Sequence, residues 1–143
     1  MITNFNYTLR NTYLPVPSRG AVPAHYLETL QSKFVLCPSG LSMDTYRIWE
    51  SLVLGAIPVV ESNRGLDRTY NHLPVLVLKN FSYLTPQLLH SAYDCFMSHV
   101  EHFKFGILTV RYWKRLLDTV ARTGSLEFLR RNHPFRNPYC SYI

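Results

Sequence analysis

Three consecutive stretches decide the fold of this chain: KFVLCPSG at 33–40, LSMDTYRIWESLVLG at 41–55 and AIPVVES at 56–62. The first is an apolar run closed by a proline, which predicts a buried strand followed by a turn. Apolar residues at helical spacing then predict a helix over 43–54, and Gly55 is a natural end for it. The apolar run after that glycine predicts a second strand. Strand, turn, helix and strand in this order are typical of α/β proteins.

The rest of the chain continues the alternation of strands and helices. Residues 24–32 fit a short helix, and PVLVL at 74–78 predicts a third strand, buried on both faces because its apolar run is unbroken. A helix over 85–103 is predicted to begin after Thr85, a favourable N-cap followed by proline. Another helix is predicted over 107–122. We therefore expect an α/β fold with a Rossmann-like parallel sheet and flanking helices.

In two of these helices the sequence pattern separates an apolar side from a polar side. The helix at 43–54 is predicted to turn an apolar side towards the sheet and a polar side towards solvent or a ligand. Its expected apolar side carries Ile48, Trp49, Leu52 and Val53, and its polar side carries Asp44, Arg47, Glu50 and Ser51. In the helix at 107–122 the expected apolar side carries Val110, Trp113, Leu117 and Val120.

The length and composition predict one domain with a substantial core. The chain has 143 residues, of which 47% are hydrophobic and 17% charged, and no apolar run approaches the length of a membrane span. We expect a partial strand at 1–9 and a loop within residues 1–24, then a core at 25–123. A basic tail at 124–143 follows, with a short helical piece after Gly124.

The net charge of +6 is confined to residues 104–143, because the acidic and basic residues before them balance. A basic segment of this kind attracts nucleic acid, phosphates or anionic polysaccharide, or is simply a solvated surface.

Cysteine and histidine positions give few functional signals. The three cysteines share no metal or redox spacing, and their odd number leaves the redox compartment open. Cys37 ends an apolar strand, so a buried free thiol is expected there. His99 and His102 lie three residues apart on one helix face, where they either contribute to a metal site or form a surface pair. We expect no metal.

Polar residues gather where the first of these strands ends. The Pro-Ser-Gly turn leads into the helix carrying Arg47 and Glu50, and ligands of open α/β sheets bind at such a strand end. Gly40 lets backbone amides approach an anion, and Arg47 suits a diphosphate. A carboxylate such as Glu50 accepts hydrogen bonds from the hydroxyls of a ribose. The alternative is a solvated helix face on which Asp44 and Arg47 form a weak ion pair.

The stretches FVLCPSG at 34–40 and DTYRIWESLVLGAIPVV at 44–60 resemble the signature of exostosin-like glycosyltransferases, glycosyltransferase family 47. The continuation at 61–89 is similar too, and the resemblance covers about 25–115. It implies the C-terminal, donor-binding half of a two-domain GT-B fold with the active site between the halves. The donor-nucleotide residues that it implies are Ser39, Gly40, Asp44, Arg47, Glu50 and Ser62.

The resemblance implies an enzyme that transfers a hexose or pentose from a nucleotide sugar to a glycan or glycoprotein acceptor. The donor is a substrate, and no cofactor or metal is expected, since the sequence has no Asp-x-Asp pair. Because only a short segment precedes the signature, we expect an N-terminal half or a partner subunit elsewhere and name no catalytic base. The alternative is a non-catalytic, glycosyltransferase-like binding module. A Golgi or secretory-pathway membrane setting is implied, and nucleic acid is not an expected partner.

Overall fold

The computed structural model describes residues 24–124 together with Cys140, and all structural statements below concern these residues. The predicted strand at 1–9, the helical piece after Gly124 and most of the basic tail lie outside them. The helices and strands are α1 (Ala24–Leu30), β1 (Phe34–Leu36), α2 (Tyr46–Val53), β2 (Ile57–Glu61), β3 (Leu76–Leu78), α3 (Pro86–Ser98) and α4 (Val110–Thr123). Short 3-10 turns occupy Asp67–Tyr70, Phe81–Tyr83, Val100–His102 and Phe105–Leu108.

The three described strands form one parallel sheet in the order β1-β2-β3. Phe34 pairs with Ile57 across the first two strands, and Val59 pairs with Leu76 across the next two. Parallel strands need a crossover between them, which α2 supplies between β1 and β2. The predicted α/β class with a Rossmann-like parallel sheet is therefore confirmed.

Both faces of the sheet are covered, as the unbroken apolar strands predict. Alternate residues of each strand point to opposite faces, so the core divides into two clusters. The cluster on the α2 side contains Cys37, Ile48, Leu52, Val60, Tyr70, Leu73, Val75 and Val77. The cluster on the α3 side contains Ile57, Val59, Leu76, Leu78, Leu89, Ala92, Phe96 and Phe103.

Two of the predicted helix boundaries are confirmed. The Thr85 hydroxyl caps α3 by accepting a hydrogen bond of 3.2 Å from the Leu88 amide, and Pro86 is the first helical residue. Gly55 follows the end of α2 with a φ of 84°, which is a left-handed conformation that glycine adopts without strain.

The other ends of the last two helices differ from the prediction. The α3 helix stops at Ser98 instead of continuing to residue 103, because the chain turns there and brings Phe103 back against Phe96, with ring centroids 5.8 Å apart. The α4 helix begins three residues later than predicted, because Thr109 caps it by accepting from the Tyr112 amide at 3.3 Å.

The α2 helix is shorter than the predicted 43–54, and two of its residues were assigned to the wrong side of the helix. Ser42 and Asp44 lie in the preceding loop, since the helix begins only at Tyr46. Ser51, assigned to the polar side, is buried, whereas Val53, assigned to the apolar side, is 68% exposed. At about 100° per residue, Val53 lies about 140° around the helix from buried Ile48, and Ser51 only about 60° from it.

The α4 helix presents much of its predicted apolar side to solvent. Val110 is 84% exposed and Leu117 66%, and the residue that α4 buries is Leu116. The indole of Trp113 lies at the boundary, since its Nε1 donates to the Ile107 carbonyl at 2.8 Å. The predicted apolar side of α4 is therefore mostly not covered by the described residues. No described helix is long and apolar enough to cross a membrane.

Candidate functional site

The carboxyl ends of the three strands lie along one edge of the sheet. The loops that follow the strands begin there at Cys37, Ser62 and Lys79. Since β1 and β2 are parallel, α2 begins near this edge and runs back towards the amino ends of the strands. The edge therefore combines three loops with a helix N-terminus, which is the usual ligand-binding position in open α/β sheets.

The loop after β1 begins in contact with the sheet and then becomes solvent-exposed. The Cys37 amide extends the strand pairing by donating to the Val59 carbonyl at 2.9 Å, and the next three residues are exposed. The Gly40 amide donates to the Ser42 carbonyl at 3.1 Å, so it is already satisfied within the loop. A Cβ added at Gly40 would meet only Thr45 Cγ2, at 4.0 Å. The described fold therefore tolerates a side chain at Gly40.

The N-terminus of α2 lacks the side-chain cap that the two later helices have. All three helices have threonine at the N-cap, and the hydroxyls of Thr85 and Thr109 each accept a hydrogen bond from a first-turn amide. Thr45 at the start of α2 makes no such bond, and its buried Oγ1 has no partner among the described residues. Among the described residues the first-turn amides of α2 thus have no side-chain cap, and the charged group next to this positive end of the helix dipole is the Asp44 carboxylate.

Arg47 lies in the first turn of α2, close to Cys37. Its side chain is exposed and makes no hydrogen bond or ion pair with a described residue, so the ion pair with Asp44 considered from the sequence is not formed. Burial raises the pKa of the Cys37 thiol to about 11, against the opposing effects of a Ser51 hydrogen bond and the Arg47 charge. Among the described residues, the hydrogen-bond donors of the Arg47 guanidinium therefore have no partner.

The Glu50 carboxylate, one turn further along α2, is held by α1. The Tyr26 hydroxyl donates to Oε1 at 2.7 Å, and the Nε2 of His25 lies 4.0 Å from Oε2. The bond to Glu50 is the main cause that raises the pKa of Tyr26, followed by partial burial and the negative charge of the same carboxylate. Glu50 is thus partly exposed and oriented from the α1 side, and the described residues leave some of its acceptor positions open.

Asp44 and Ser62 both have hydrogen-bond partners within the loops. Asp44 Oδ1 accepts from Trp49 Nε1 at 2.7 Å, and the Ser62 hydroxyl donates to Asp67 Oδ2, also at 2.7 Å. These two loops meet where Asn63 Nδ2 donates to the sulfur of Met43.

Tyr70 lies behind these loops as a buried member of the core. Burial, followed by the negative charges of Asp44 and Asp67, raises the pKa of Tyr70 to about 12. Its hydroxyl therefore stays neutral, and the two carboxylates make this part of the edge acidic.

The structure places all six predicted donor-site residues in the loops after β1 and β2 or on α2. Their role in binding a donor stays a prediction. Sequence reasoning missed Tyr26 and Asp67, which hold two of the six through contacts that residue spacing does not reveal. The missed Thr45 did carry a signal, because threonine before an apolar helical pattern is a favoured N-cap.

Similarity to known proteins adds the biochemical class. Residues 3–89 match the model of the family described as RXYLT1 C-terminal domain. The chain belongs to this family. Over 73 residues it is 32% identical to zebrafish (Danio rerio) ribitol-5-phosphate xylosyltransferase 1, covering 50% of this chain and 17% of that protein. Over 56 residues it is 39% identical to the human (Homo sapiens) protein of the same name, covering 36% of this chain and 13% of that protein.

The chain therefore matches less than a fifth of the length of these two curated relatives, both of which are glycosyltransferases by name. The coarser part of the sequence resemblance, similarity to glycosyltransferases, is confirmed. The segment that matches the family model includes all three described strands, α2 and every predicted donor-site residue.

One covalent link lies beyond the family match. Cys95 of α3 and Cys140 form a disulfide with their Cα atoms 6.0 Å apart, whereas Cys37 is free and buried, as predicted. A nitrogen of His99 and the two sulfurs all lie within 4.8 Å of one another. Since the sulfurs are bonded to each other, neither is the thiolate that a metal ion requires. The link instead joins the C-terminal part of the chain to α3.

Proposed function

We propose that the chain is the nucleotide-sugar-binding part of a glycosyltransferase. Membership of the RXYLT1 C-terminal domain family is the observation that carries this proposal, since the two curated relatives are xylosyltransferases by name. The proposed donor site is the carboxyl edge of the sheet, formed by Ser39, Gly40, Asp44, Arg47, Glu50 and Ser62.

Asp44 and Asp67 make part of this edge acidic, but the helix end and Arg47 beside them suit the negative charge of a sugar donor. A nucleoside diphosphate carries its negative charge on the diphosphate, which is also the leaving group when an acceptor hydroxyl attacks the sugar. The uncapped N-terminus of α2 and the available guanidinium of Arg47 both stabilise negative charge, and they lie within one helical turn of each other. In this proposal they hold the diphosphate and stabilise it as it leaves.

The finer assignments follow the relatives' name and the sequence resemblance. We propose a xylose-bearing nucleotide sugar as donor and a ribitol-5-phosphate-bearing glycan or glycoprotein as acceptor. We retain the exostosin-like relationship and the GT-B architecture as part of the proposal, with residues 1–143 forming one Rossmann-like unit. The acceptor side and the catalytic base would come from a separate half or a partner subunit, and the donor is a substrate that needs no further cofactor.

The disulfide supports a location in the secretory pathway. Disulfides persist in oxidising compartments and are rare in the cytosol. Cys95–Cys140 therefore agrees with a Golgi or other secretory-pathway setting, which extends to this chain as a proposal.

Substitution of Arg47 by alanine tests the donor site. We expect the affinity for a nucleoside diphosphate to fall about thirtyfold, equivalent to about 2 kcal/mol for hydrogen bonds to a charged group. The free energy of unfolding should change by less than about 0.5 kcal/mol, because the Arg47 side chain is exposed. Calorimetric titration with uridine diphosphate and guanosine diphosphate measures the first quantity, and urea unfolding measures the second.

Arg111→Ala is the matched control, because it removes the same charge from an exposed position on α4. Arg47→Lys should give an intermediate affinity, since lysine keeps the charge but loses the two parallel donors. A wild-type chain that binds neither nucleotide, or an Arg47→Ala variant with unchanged affinity, would refute the assignment.

Gly40→Ala tests the loop that precedes the helix. We expect little change in stability, because the added Cβ meets only Thr45 Cγ2 at 4.0 Å. If a diphosphate lies against this backbone, the same Cβ should weaken its binding about tenfold, which corresponds to about 1.4 kcal/mol. Leu41→Ala, at the next position, which is also exposed, is the control. Equal affinities for the wild type and Gly40→Ala would place the diphosphate elsewhere.

A non-catalytic binding module is the second candidate. Its support is that Asp44, Glu50 and Ser62 all have hydrogen-bond partners within the chain. A transfer assay beside the titration separates the candidates. Nucleotide binding without turnover, even when the rest of a relative is supplied in trans, would favour the module.

A further inference from the structure

The contact between Tyr26 and Glu50 joins two helices at the proposed donor site. The Tyr26 hydroxyl of α1 donates to Glu50 Oε1 at 2.7 Å, across 24 residues of sequence, and both side chains are partly buried. His25 of the same helix lies near the other carboxylate oxygen, with its Nε2 4.0 Å from Oε2. The His25 and Tyr26 rings also contact each other edge to face, with centroids 4.3 Å apart. Glu50 is thus oriented by a preformed pair of side chains.

This bond restricts Glu50 without using up its capacity to accept further hydrogen bonds. An ionised carboxylate offers about four acceptor positions, and Tyr26 occupies one. A glutamate without such a partner would distribute among several rotamers and would lose that freedom when a ligand bound. Because the bond to Tyr26 already restricts the Glu50 side chain, ligand binding costs less side-chain conformational entropy.

The contact contributes little to the core. None of the α1 residues is buried, so this helix adds little apolar burial to the fold. Glu50 lies one turn along α2 from Arg47, on the helix that starts at the carboxyl edge. A bond with a small structural role, placed next to a proposed diphosphate site, is suited to holding a ligand group.

We propose that Tyr26 is a positioning residue. It holds the Glu50 carboxylate so that the remaining lone pairs of that carboxylate accept hydrogen bonds from the two ribose hydroxyls of a nucleoside diphosphate. The inference rests on the proposed function and deepens it. It assigns a role in donor recognition to α1, which lies outside the loop and helix that carry the sequence signature.

The test measures selectivity for the ribose hydroxyls. The affinity of the full chain for uridine diphosphate is divided by its affinity for the 2′,3′-dideoxy analogue, which lacks both hydroxyls. We expect this ratio to fall about fivefold in Tyr26→Phe, the effect of freeing one long side chain. In Glu50→Gln it should fall further, and Tyr26→Phe combined with Glu50→Gln should match Glu50→Gln alone, because Tyr26 acts through that carboxylate.

Tyr112→Phe on α4 is the control, since it removes a phenolic hydroxyl from another helix and should leave the ratio unchanged. Thermal midpoints are recorded for every variant, because a merely structural bond would lower the midpoint without changing selectivity. A wild-type ratio in Tyr26→Phe, with binding retained, overturns this inference alone. Absence of uridine diphosphate binding by the wild-type chain overturns both the inference and the proposed donor site.

Discussion

Replacing Phe96 by alanine is expected to lower the free energy of unfolding by about 3–5 kcal/mol, the usual cost of truncating a buried phenylalanine. Phe96 is only 1% exposed and packs on the α3 side of the sheet, with the Phe103 ring 5.8 Å away. The variant would leave a cavity between α3 and the strands. Since domains of this size are stable by about 5–15 kcal/mol, this one change would remove a large part of the total.

Urea unfolding followed by circular dichroism measures the loss, with the disulfide kept oxidised. Met97→Ala is the control, because it shortens the next residue of the same helix at a position that is 42% exposed, and it should cost less than about 1 kcal/mol. Phe96→Leu should recover part of the stability. A loss below 1 kcal/mol in Phe96→Ala would mean that α3 does not cover this face of the sheet.

Local sequence signals were sufficient for the order of elements along the described chain. Thr85 and Pro86 mark the start of α3, and Gly55 marks the end of α2, because these residue types satisfy backbone requirements that are purely local. The unbroken apolar runs predicted strands covered on both faces, and the two core clusters confirm this. The α/β class followed from this alternation alone.

Positions decided by packing were harder to predict. Ser51 and Val53 were assigned to the wrong faces of α2, since the orientation of this short helix is set by how Ile48 and Leu52 meet the sheet. On α4, the packed residue is Leu116 instead of the longer apolar stripe beside it. Hydrophobic periodicity shows that a helix has an apolar side, but it does not show how much of that side the fold covers.

In the candidate site, too, local sequence signals were predictable and contacts between distant residues were not. Arg47 and Glu50 were identified because charged residues follow a turn at the end of a strand. Their surroundings were not predictable, since the partner of Glu50 is Tyr26 on another helix, and Asp44, considered as an alternative ion-pair partner of Arg47, bonds Trp49 instead. The cysteine pairing could not be predicted from the sequence either, because three cysteines permit three different disulfides. Only the fold brings Cys95 and Cys140 together.

Removing the Cys95–Cys140 disulfide is expected to destabilise the chain by about 3–4 kcal/mol. The bridge closes a loop with a sequence separation of 45 residues, which contains α4, and a crosslink of that length restricts the unfolded chain substantially. Cys140 also packs beside the α3-side cluster, so its release would loosen the C-terminal part of the chain there. The variant with Cys95→Ser and Cys140→Ser measures this loss by urea unfolding.

Dithiothreitol provides the internal control. It should lower the unfolding midpoint of the wild-type chain towards that of the double variant and leave the double variant unchanged, since Cys37 is free. Thiol titration of the denatured, unreduced chain should find one reactive thiol, and titration after reduction should find three. Three thiols before reduction would contradict the bridge and would remove its support for an oxidising compartment. One thiol, together with a large loss of stability on reduction, would mean that the chain keeps its full stability only where disulfides persist, as in the lumen of the secretory pathway.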